Sequence, residues 1–299
     1  MADKMLESNE RARKQAQEVY DLARKVTAEI HAEHHRPAVR FTLEPGEPGI
    51  FESKAGGTPY LPHDMPWPLD SSGQGLSLLA QVDCAGLAGL PDFPAAGLLQ
   101  FFVAWGDVWG LNFDDQTDTA GFRVLYHETV DFSVTAEEVE DKRPPKPEGA
   151  DDWFPLFKNC RIWLGALTEQ GMNENDGRFD SLFAEKWNKL RPESPVEGTW
   201  DMHKLVVERL RDYDATYQPG WRPAYHQLGG YPYFTQEDPR NGTEYEDLDV
   251  LLFQLDTDGG KEAGDLVMWG DCGVCNFFIN REALKRRDFS RVCYNWDCC

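Results

Sequence analysis

Five of the seven cysteines lie after residue 270, and four of them have the type and order of metal ligands. Cys272 and Cys275 form a Cys-x-x-Cys knuckle, and Cys293 and Cys298 follow it. A knuckle with two later thiolates is the ligand set of a structural zinc site, although the later pair lacks a second knuckle. Buried free thiols and a redox pair are the alternatives. We favour buried thiols without a cofactor, because cysteine is commonly a small buried residue.

A second group of candidates consists of amides and carboxylates that occur twice at matching spacing. Residues 78–83 read Leu-Leu-Ala-Gln-Val-Asp, and residues 251–256 read Leu-Leu-Phe-Gln-Leu-Asp. Trp-Gly-Asp begins at Trp105 and again at Trp269, and Asn-Phe follows it both times. The recurring polar residues are Gln81, Asp83, Asp107, Asn112, Gln254, Asp256, Asp271 and Asn276. They form either a ligand-binding cluster or a hydrogen-bond network that fixes the turns. The network is favoured, because residues that recur with a fold need no ligand.

The histidines, acidic loops and glycine-rich stretches match no common catalytic, calcium-binding or phosphate-binding motif. His31 and His35 lie four residues apart and could share a metal, but an exposed helix end is the simpler interpretation. Catalytic residues are therefore not assigned, and whether the protein is an enzyme stays open.

A turn motif precedes each Leu-Leu-x-Gln-x-Asp segment. Gly-Gly-Thr-Pro-Tyr begins at Gly56, and Gly-Gly-Tyr-Pro-Tyr begins at Gly229. Paired glycines permit positive φ angles or a close approach of two backbones, and the proline stiffens the exit. Three blocks in the same order predict an internal duplication: a glycine turn, a buried strand, and a hairpin around Trp-Gly-Asp.

Short runs of aromatic and β-branched residues, separated by Gly, Pro and Asp, predict strands. These runs are 39–43, 76–83, 98–105, 122–130, 161–167, 250–256, 266–269, 276–279 and 291–296. Helical periodicity predicts helices at 6–33, 179–189 and 199–213, and the charged, proline-rich stretch 137–152 predicts a loop or linker.

These elements predict an α+β fold that is mainly antiparallel β. Residues 1–36 would form an N-terminal helix that lies on its own domain or clasps a partner, the former being favoured. Residues 37–299 would form one domain. Within it, two β-rich pseudo-repeats, at about 37–130 and 221–299, flank a helical insertion at 131–220.

The charge balance limits the partners. Lys and Arg number 30 against 52 for Asp and Glu, which gives a net charge of −22. This field repels nucleic acid and anionic membrane surfaces. No apolar run approaches the roughly 20 residues that cross a bilayer. The charged N-terminal segment is unlike a signal peptide, and an odd number of cysteines favours reduced thiols, so we expect a cytoplasmic protein.

Several motifs together resemble the YwqG-like proteins, a bacterial family of unknown function. They are Gly-Gly-x-Pro followed by Trp-Pro, Leu-Ala-Gln-Val-Asp, Gly-Leu-Leu-Gln-Phe-Phe, a late Trp-Gly-Asp and a terminal Trp-Asp-Cys. The resemblance covers residues from about 37 to 299. It implies a fold dominated by antiparallel strands and, from the gene neighbourhoods of some members, a link to toxins and their immunity proteins. It supplies no catalytic residues.

Two functional hypotheses follow. The first is a non-enzymatic protein-binding module whose acidic surface engages a protein partner, and a basic toxin would be complementary to that surface. The second is a hydrolase or small-ligand protein that uses carboxylates between the two repeats. The oligomeric state and the identity of any partner are not predicted.

Overall fold

The computed structural model describes residues 2–149, 154–201, 225–260 and 264–299. Two compact units account for these residues. The first unit draws on residues 1–36 and 170–223, and the second on residues 37–169 and 224–299.

The first unit contains two long helices that pack together, α1 (Ala2–Glu33) and α3 (Phe179–Leu190). The side of α1 that carries Val19, Val26 and Ile30 is buried, and a salt bridge of 2.7 Å joins Lys186 to Glu33. The helices predicted at 6–33 and 179–189 are therefore confirmed, whereas the helix predicted at 199–213 lies almost entirely outside the described residues. Among the residues that are described, no helix is long and apolar enough to cross a membrane.

The second unit is built on a ten-stranded sheet with the order β12-β11-β8-β7-β1-β6-β2-β3-β4-β5. Its strands are β1 (His35–Pro45), β2 (Lys54–Ala55), β3 (Ser77–Asp83), β4 (Leu98–Val103), β5 (Phe122–His127), β6 (Cys160–Gly171), β7 (Gln227–Gly229), β8 (Val250–Asp256), β11 (Val274–Ile279) and β12 (Val292–Asp297). A separate hairpin consists of β9 (Asp258–Gly260) and β10 (Gly264–Val267). Every predicted strand overlaps an observed one, whereas the short strands β2, β7 and β9 were not predicted.

The sheet contains two groups of three strands, and the register of strand pairing is the same within each group. We call β3, β4 and β5 the first strand set, and β8, β11 and β12 the second. Gln81 lies opposite Gln100 across β3 and β4, and Gln254 lies opposite Asn276 across β8 and β11. Each of these pairings contains one irregularity, which skips a leucine two residues before the glutamine of β3 or β8. A β-bulge of this kind bends a strand locally.

The segment between the two strand sets contains strand as well as helix. Residues 131–220, predicted as a helical insertion with a strand at 161–167, contribute β6 to the middle of the sheet. The stretch predicted as a loop begins inside a short helix, α2 (Ala136–Asp141), because the Thr135 hydroxyl caps it by accepting from the Glu138 amide. A further short helix, α4 (Arg281–Lys285), begins after Asn280, whose side chain accepts from two backbone amides.

The two strand sets share one hydrophobic core. Phe101 of β4 stacks on Phe253 of β8, with 4.5 Å between ring centroids. Phe122 of β5 contacts Tyr294 of β12 at 5.3 Å, although these strands lie at opposite ends of the strand order. Because truncating a buried phenylalanine costs about 3–5 kcal/mol, these contacts hold the two sets together strongly.

Candidate functional site

Gln81 connects the first glycine turn to the sheet. Its side chain is fully buried, and its Oε1 accepts from the Tyr60 amide at 2.8 Å. Its Nε2 donates to the carbonyls of Ile50 and Glu52 at 2.8 and 2.9 Å. The neighbouring Gln100 donates to the Tyr60 carbonyl at 2.7 Å. Both backbone groups of Tyr60 are thus bound by glutamines, as buried polar groups require.

Gln254 makes the corresponding bonds in the second strand set. Its Oε1 accepts from the Tyr233 amide at 2.8 Å, and its Nε2 donates to the Tyr225 carbonyl at 2.5 Å. Asn276, at the position of Gln100, donates to the Tyr233 carbonyl at 3.1 Å. These contacts are those of the hydrogen-bond network that the sequence favoured over a ligand-binding cluster.

The four nominated aspartates are spread over different environments. The Asp83 carboxylate accepts from the Ala85 amide at 3.0 Å, and Asp256 accepts from the Tyr225 amide at 2.8 Å. Asp107 and Asp271 lie exposed in turns. The sheet therefore does not bring these four carboxylates into one cluster.

The third block of the proposed repeat, Trp-Gly-Asp followed by Asn-Phe, occupies different positions in the two strand sets. Trp105 follows β4, whereas Trp269 precedes β11, the strand that corresponds to β4. Asn112 therefore lies in a loop, where its Nδ2 donates to Asp118 at 3.0 Å, while Asn276 lies within a strand. The residue that corresponds to Asn276 is Gln100, which the sequence comparison did not nominate because a glutamine replaces the asparagine.

Sequence reasoning also missed a buried lysine below the first glycine turn. Lys54 is fully buried, and its ammonium donates to the Thr58 carbonyl at 2.7 Å and to the Pro48 carbonyl at 3.4 Å. Burial lowers the pKa of Lys54 to about 8, against the opposing attraction of Glu52. Gln227 stands two residues before the second glycine pair, as Lys54 stands before the first. That spacing is the signal that would have revealed the position.

A buried histidine occupies a related position beside the second glycine turn. His226 Nδ1 accepts from the Asp256 amide at 3.0 Å, so its proton lies on Nε2, which bonds to the Asp258 carboxylate at 3.2 Å. The hydrogen bond from His226 holds the pKa of Asp258 below its usual value. This pair joins the residue before β7 to the first residue of β9.

A cleft of about 510 Å³ opens beside the first glycine turn. Its lining includes Glu47, Gly57, Trp105, Glu140, Phe157 and Asn159. Asn159 Nδ2 donates to Glu47 Oε2 at 2.8 Å, and Arg143 donates twice to the Glu140 carboxylate at 2.8 Å. The volume falls within the range of about 300–1,000 Å³ that is typical of small-molecule sites.

The chain matches the family model described as "Domain of unknown function (DUF1963)" over residues 53–298. It belongs to the DUF1963 family. The matched region includes both glycine turns, both strand sets and most of the residues that line the cleft. No curated protein matches the chain. The family description assigns no activity, so the function of this DUF1963 protein has to be argued from its geometry.

The cysteines nominated as zinc ligands lie in different surroundings in this DUF1963 protein. Cys275 packs in the core that the two strand sets share, whereas Cys293 packs with Phe278 in a separate cluster on the other face of the sheet. Cys272 is exposed. Burial raises the pKa of Cys293 to about 12 and that of Cys275 well above its usual value, which opposes thiolate formation. Within the described part of the chain, no three His, Cys, Asp or Glu side chains are placed to hold a metal ion.

A second surface feature of the DUF1963 protein is a tryptophan on strand β6. Trp163 is 53% exposed, and its indole N–H donates to Glu44 Oε2 at 2.6 Å. The Arg161 guanidinium lies 5.4 Å from the centre of the indole ring and forms a salt bridge with Glu52. We call Trp163, Arg161, Glu44 and Glu52 the Trp163 face.

Proposed function

We propose that this DUF1963 protein is a non-enzymatic protein-binding module whose partner is basic. The Trp163 face is the observation that carries the proposal. Tryptophan is among the residues that contribute most to binding at protein interfaces, and it does so best when it is held in place before binding. The bond from the Trp163 indole to Glu44 and the stacked Arg161 supply that restraint.

The charge of the chain favours a basic partner. A net charge of −22 attracts basic proteins over distances longer than direct contact, and this attraction accelerates association. On the Trp163 face itself, Glu44 and Glu52 outnumber the single positive charge of Arg161, which pairs with Glu52, so the face carries a net negative charge. The resemblance to the YwqG-like proteins suggests a toxin that acts on nucleic acid as the partner, in the cytoplasm, because such a toxin presents a basic surface.

We also infer that the two strand sets derive from one duplicated unit. The inference rests on the shared register, on the bulge at the same place, and on matching bonds to the two glycine turns. Lys54 donates to the carbonyl four residues later, and so does Gln227. The Ser53 hydroxyl binds the Asp83 amide as His226 binds the Asp256 amide.

A small-ligand protein is the second candidate function, and the cleft is the observation that favours it. Asp83 and Asp256 are engaged by backbone amides, so the carboxylates that would act in the cleft are Glu47 and Glu140.

The experiment is affinity capture with three forms of the full chain as bait: wild type, Trp163→Ala and Phe113→Ala. Phe113 is 70% exposed and lies outside the Trp163 face, so its substitution controls for the loss of an exposed aromatic side chain. Bound proteins are identified at about 50 mM salt and again at about 300 mM salt, where screening is stronger.

We expect one basic protein to bind the wild type and the Phe113→Ala form at low salt, to be released at the higher salt, and to be absent from the Trp163→Ala form. Recovery of only neutral or acidic proteins would contradict the proposal, as would equal capture by all three baits.

A further inference from the structure

The floor of the cleft is backbone rather than side chain. Gly56 and Gly57 have φ angles of +73° and +76°, and a Cβ built at Gly56 would lie 2.7 Å from Asn159 Oδ1. A side chain at Gly56 would have to displace the Asn159 amide, and the positive φ is one that residues other than glycine rarely adopt. The glycine pair therefore allows the Asn159 amide to lie directly against the turn and keeps the cleft open above it.

One wall of the cleft is aromatic. Trp105 packs on Phe154 with 4.7 Å between ring centroids, and the Lys146 ammonium lies 5.1 Å from the centre of the Trp105 ring. Phe157 also lines the cleft and is 58% exposed, so its ring is accessible to a ligand. A flat apolar ring of this kind packs well against the C–H face of a sugar ring.

The charged residues of the cleft cancel one another. Among its described lining residues, Glu47 and Glu140 are balanced by Arg143 and Lys146. Burial raises the pKa of Glu140, but hydrogen bonds from Arg143 and Thr58 outweigh this effect and hold the pKa below its usual value. The Glu140 carboxylate is therefore ionised at neutral pH, and the described lining residues comprise two acidic and two basic side chains. An anion or a cation would meet repulsion as well as attraction here, whereas a neutral polar ligand meets neither.

The polar groups of the cleft match hydroxyl groups. The Asn159 amide is oriented by its bond to Glu47, and the Glu140 carboxylate is oriented by Arg143 and Thr58. Glu140 Oε1 already accepts from both Arg143 and Thr58, but Glu140 Oε2 accepts from Arg143 alone and Glu47 Oε2 from Asn159 alone, so each of these two oxygens has a second lone pair for a further donor. The side-chain carbonyl oxygen of Asn159 is a further acceptor. A hydroxyl both donates and accepts, so a ligand with several hydroxyls can bind an amide and a carboxylate that lie side by side.

We propose that this cleft binds a neutral polyhydroxylated ligand of the size of a mono- or disaccharide, with its ring packed on Phe157 and its hydroxyls on Asn159, Glu47 and Glu140. The surroundings of the two glycine turns differ: the Asn159 side chain faces Gly56, whereas the Pro37 backbone carbonyl and Leu90 face Gly229, and the described residues that line the cleft come from the first turn and its neighbours. The site therefore belongs to the first turn. It does not depend on the Trp163 face or on a protein partner.

The test is saturation-transfer NMR and isothermal titration calorimetry on the full chain. The probes are glucose, galactose, N-acetylglucosamine, ribose and maltose, with sodium phosphate and tetramethylammonium chloride as charged competitors. The variants are Phe157→Ala and Asn159→Asp, with Phe113→Ala and Trp163→Ala as controls that leave the cleft intact. Near-ultraviolet circular dichroism checks that each variant is folded.

We expect at least one of the saccharides to bind the wild type with 1:1 stoichiometry, and neither charged compound to compete. Phe157→Ala should weaken binding by about tenfold, the loss expected for one aromatic contact. Asn159→Asp should weaken it as well, and both controls should retain wild-type affinity. The proposal is overturned if none of the five saccharides binds, if phosphate or tetramethylammonium displaces the saccharide, or if Phe113→Ala weakens binding as much as Phe157→Ala.

Discussion

Replacing Lys54 by Gln tests the correspondence between the two glycine turns. Lys54 donates to the Thr58 carbonyl at 2.7 Å, and Gln227 donates to the Tyr231 carbonyl at 2.8 Å. Lys54→Gln therefore gives the first turn the residue that the second turn already uses. The substitution removes a buried positive charge while a donor to the same carbonyl is retained.

The magnitude follows from the protonation of Lys54. Burial lowers its pKa from 10.5 to about 8, although Glu52 and Glu47 attract the charged form. Between these two values the unfolded chain binds more protons than the folded chain, so the free energy of unfolding rises with pH across this window. At about 1.4 kcal/mol for each pKa unit, the whole rise is about 3 kcal/mol. Below pH 8 the cost of burying the charge is present in full.

The assay is urea denaturation of wild type and Lys54→Gln at several values between about pH 7 and about pH 10. Near pH 7 the variant should be the more stable protein. Removing the buried charge should add up to about 3 kcal/mol to the free energy of unfolding. The imperfect replacement of the lysine hydrogen bonds should subtract about 1 kcal/mol from this gain. This advantage should shrink as the pH rises, because the wild type then loses its buried charge. Lys189→Gln, at an exposed lysine of α3, is the control and should not change the pH dependence.

A variant that is less stable than wild type by the same amount at every pH would refute this reasoning. Such a result would mean that the ammonium is stabilised by its carbonyl partners as much as it is destabilised by burial. The position would then have diverged between the two turns.

Three further predictions concern the rest of the second unit. Gln254→Leu should lower the free energy of unfolding, measured by urea denaturation, by about 3 kcal/mol, because it removes the side-chain hydrogen bonds to the Tyr233 amide and the Tyr225 carbonyl; a loss below about 1 kcal/mol would contradict the network. Gly229→Ala should destabilise the protein more than Gly73→Ala, since both have positive φ but only Gly229 is crowded by neighbouring backbone; equal shifts in melting temperature would exclude the crowding. In the folded protein Cys272 should react quickly with a thiol reagent, whereas Cys293 should react only at the rate of unfolding; rapid reaction of both would show that Cys293 is accessible.

The strands and long helices were predictable because their hydrophobic patterns are local. Val250–Asp256 is apolar along almost its whole length and is flanked by polar residues, so its state does not depend on distant contacts. The short strands β2 and β7 were missed, because two or three residues such as Lys54–Ala55 carry no periodic pattern. They are strands only because longer neighbours supply their hydrogen-bond partners.

The Trp-Gly-Asp blocks show why a short motif was misleading. The two motifs share a spacing to Asn-Phe, but one follows β4 and the other precedes β11. The correct correspondence pairs Gln100 with Asn276, and it becomes visible only from strand register, because different side chains perform the same function. A search for identical residues does not match a glutamine with an asparagine, although both side-chain amides donate to the tyrosine carbonyl of their glycine turn.

Gln100 in the first strand set and Asn276 in the second hold the same register position, but their side chains have different hydrogen-bond partners. In the first set Gln100 Oε1 is bound by His127 Nε2 at 3.0 Å. In the second set Asp297 takes the register position of His127, and Asn276 Oδ1 has no hydrogen-bond partner among the described residues. Burial raises the pKa of Asp297, whose carboxylate accepts from the Gln236 amide at 2.9 Å, so the two register positions hold side chains of different chemistry.

The candidate cleft could not have been found from the repeat alone, because the recurring motifs supply only part of its lining: the glycine turn, Leu78 and Trp105. Its other determinants, among them Glu47, Glu140 and Phe157, lie outside every motif that recurs. The two glycine pairs have similar positive φ angles, yet the Pro37 carbonyl and Leu90 face Gly229, whereas the Asn159 side chain faces Gly56 and the cleft lies beside it. What distinguishes the first turn is therefore the set of residues that surround it. A search for function in this fold has to begin with those surroundings rather than with the residues that the two halves share.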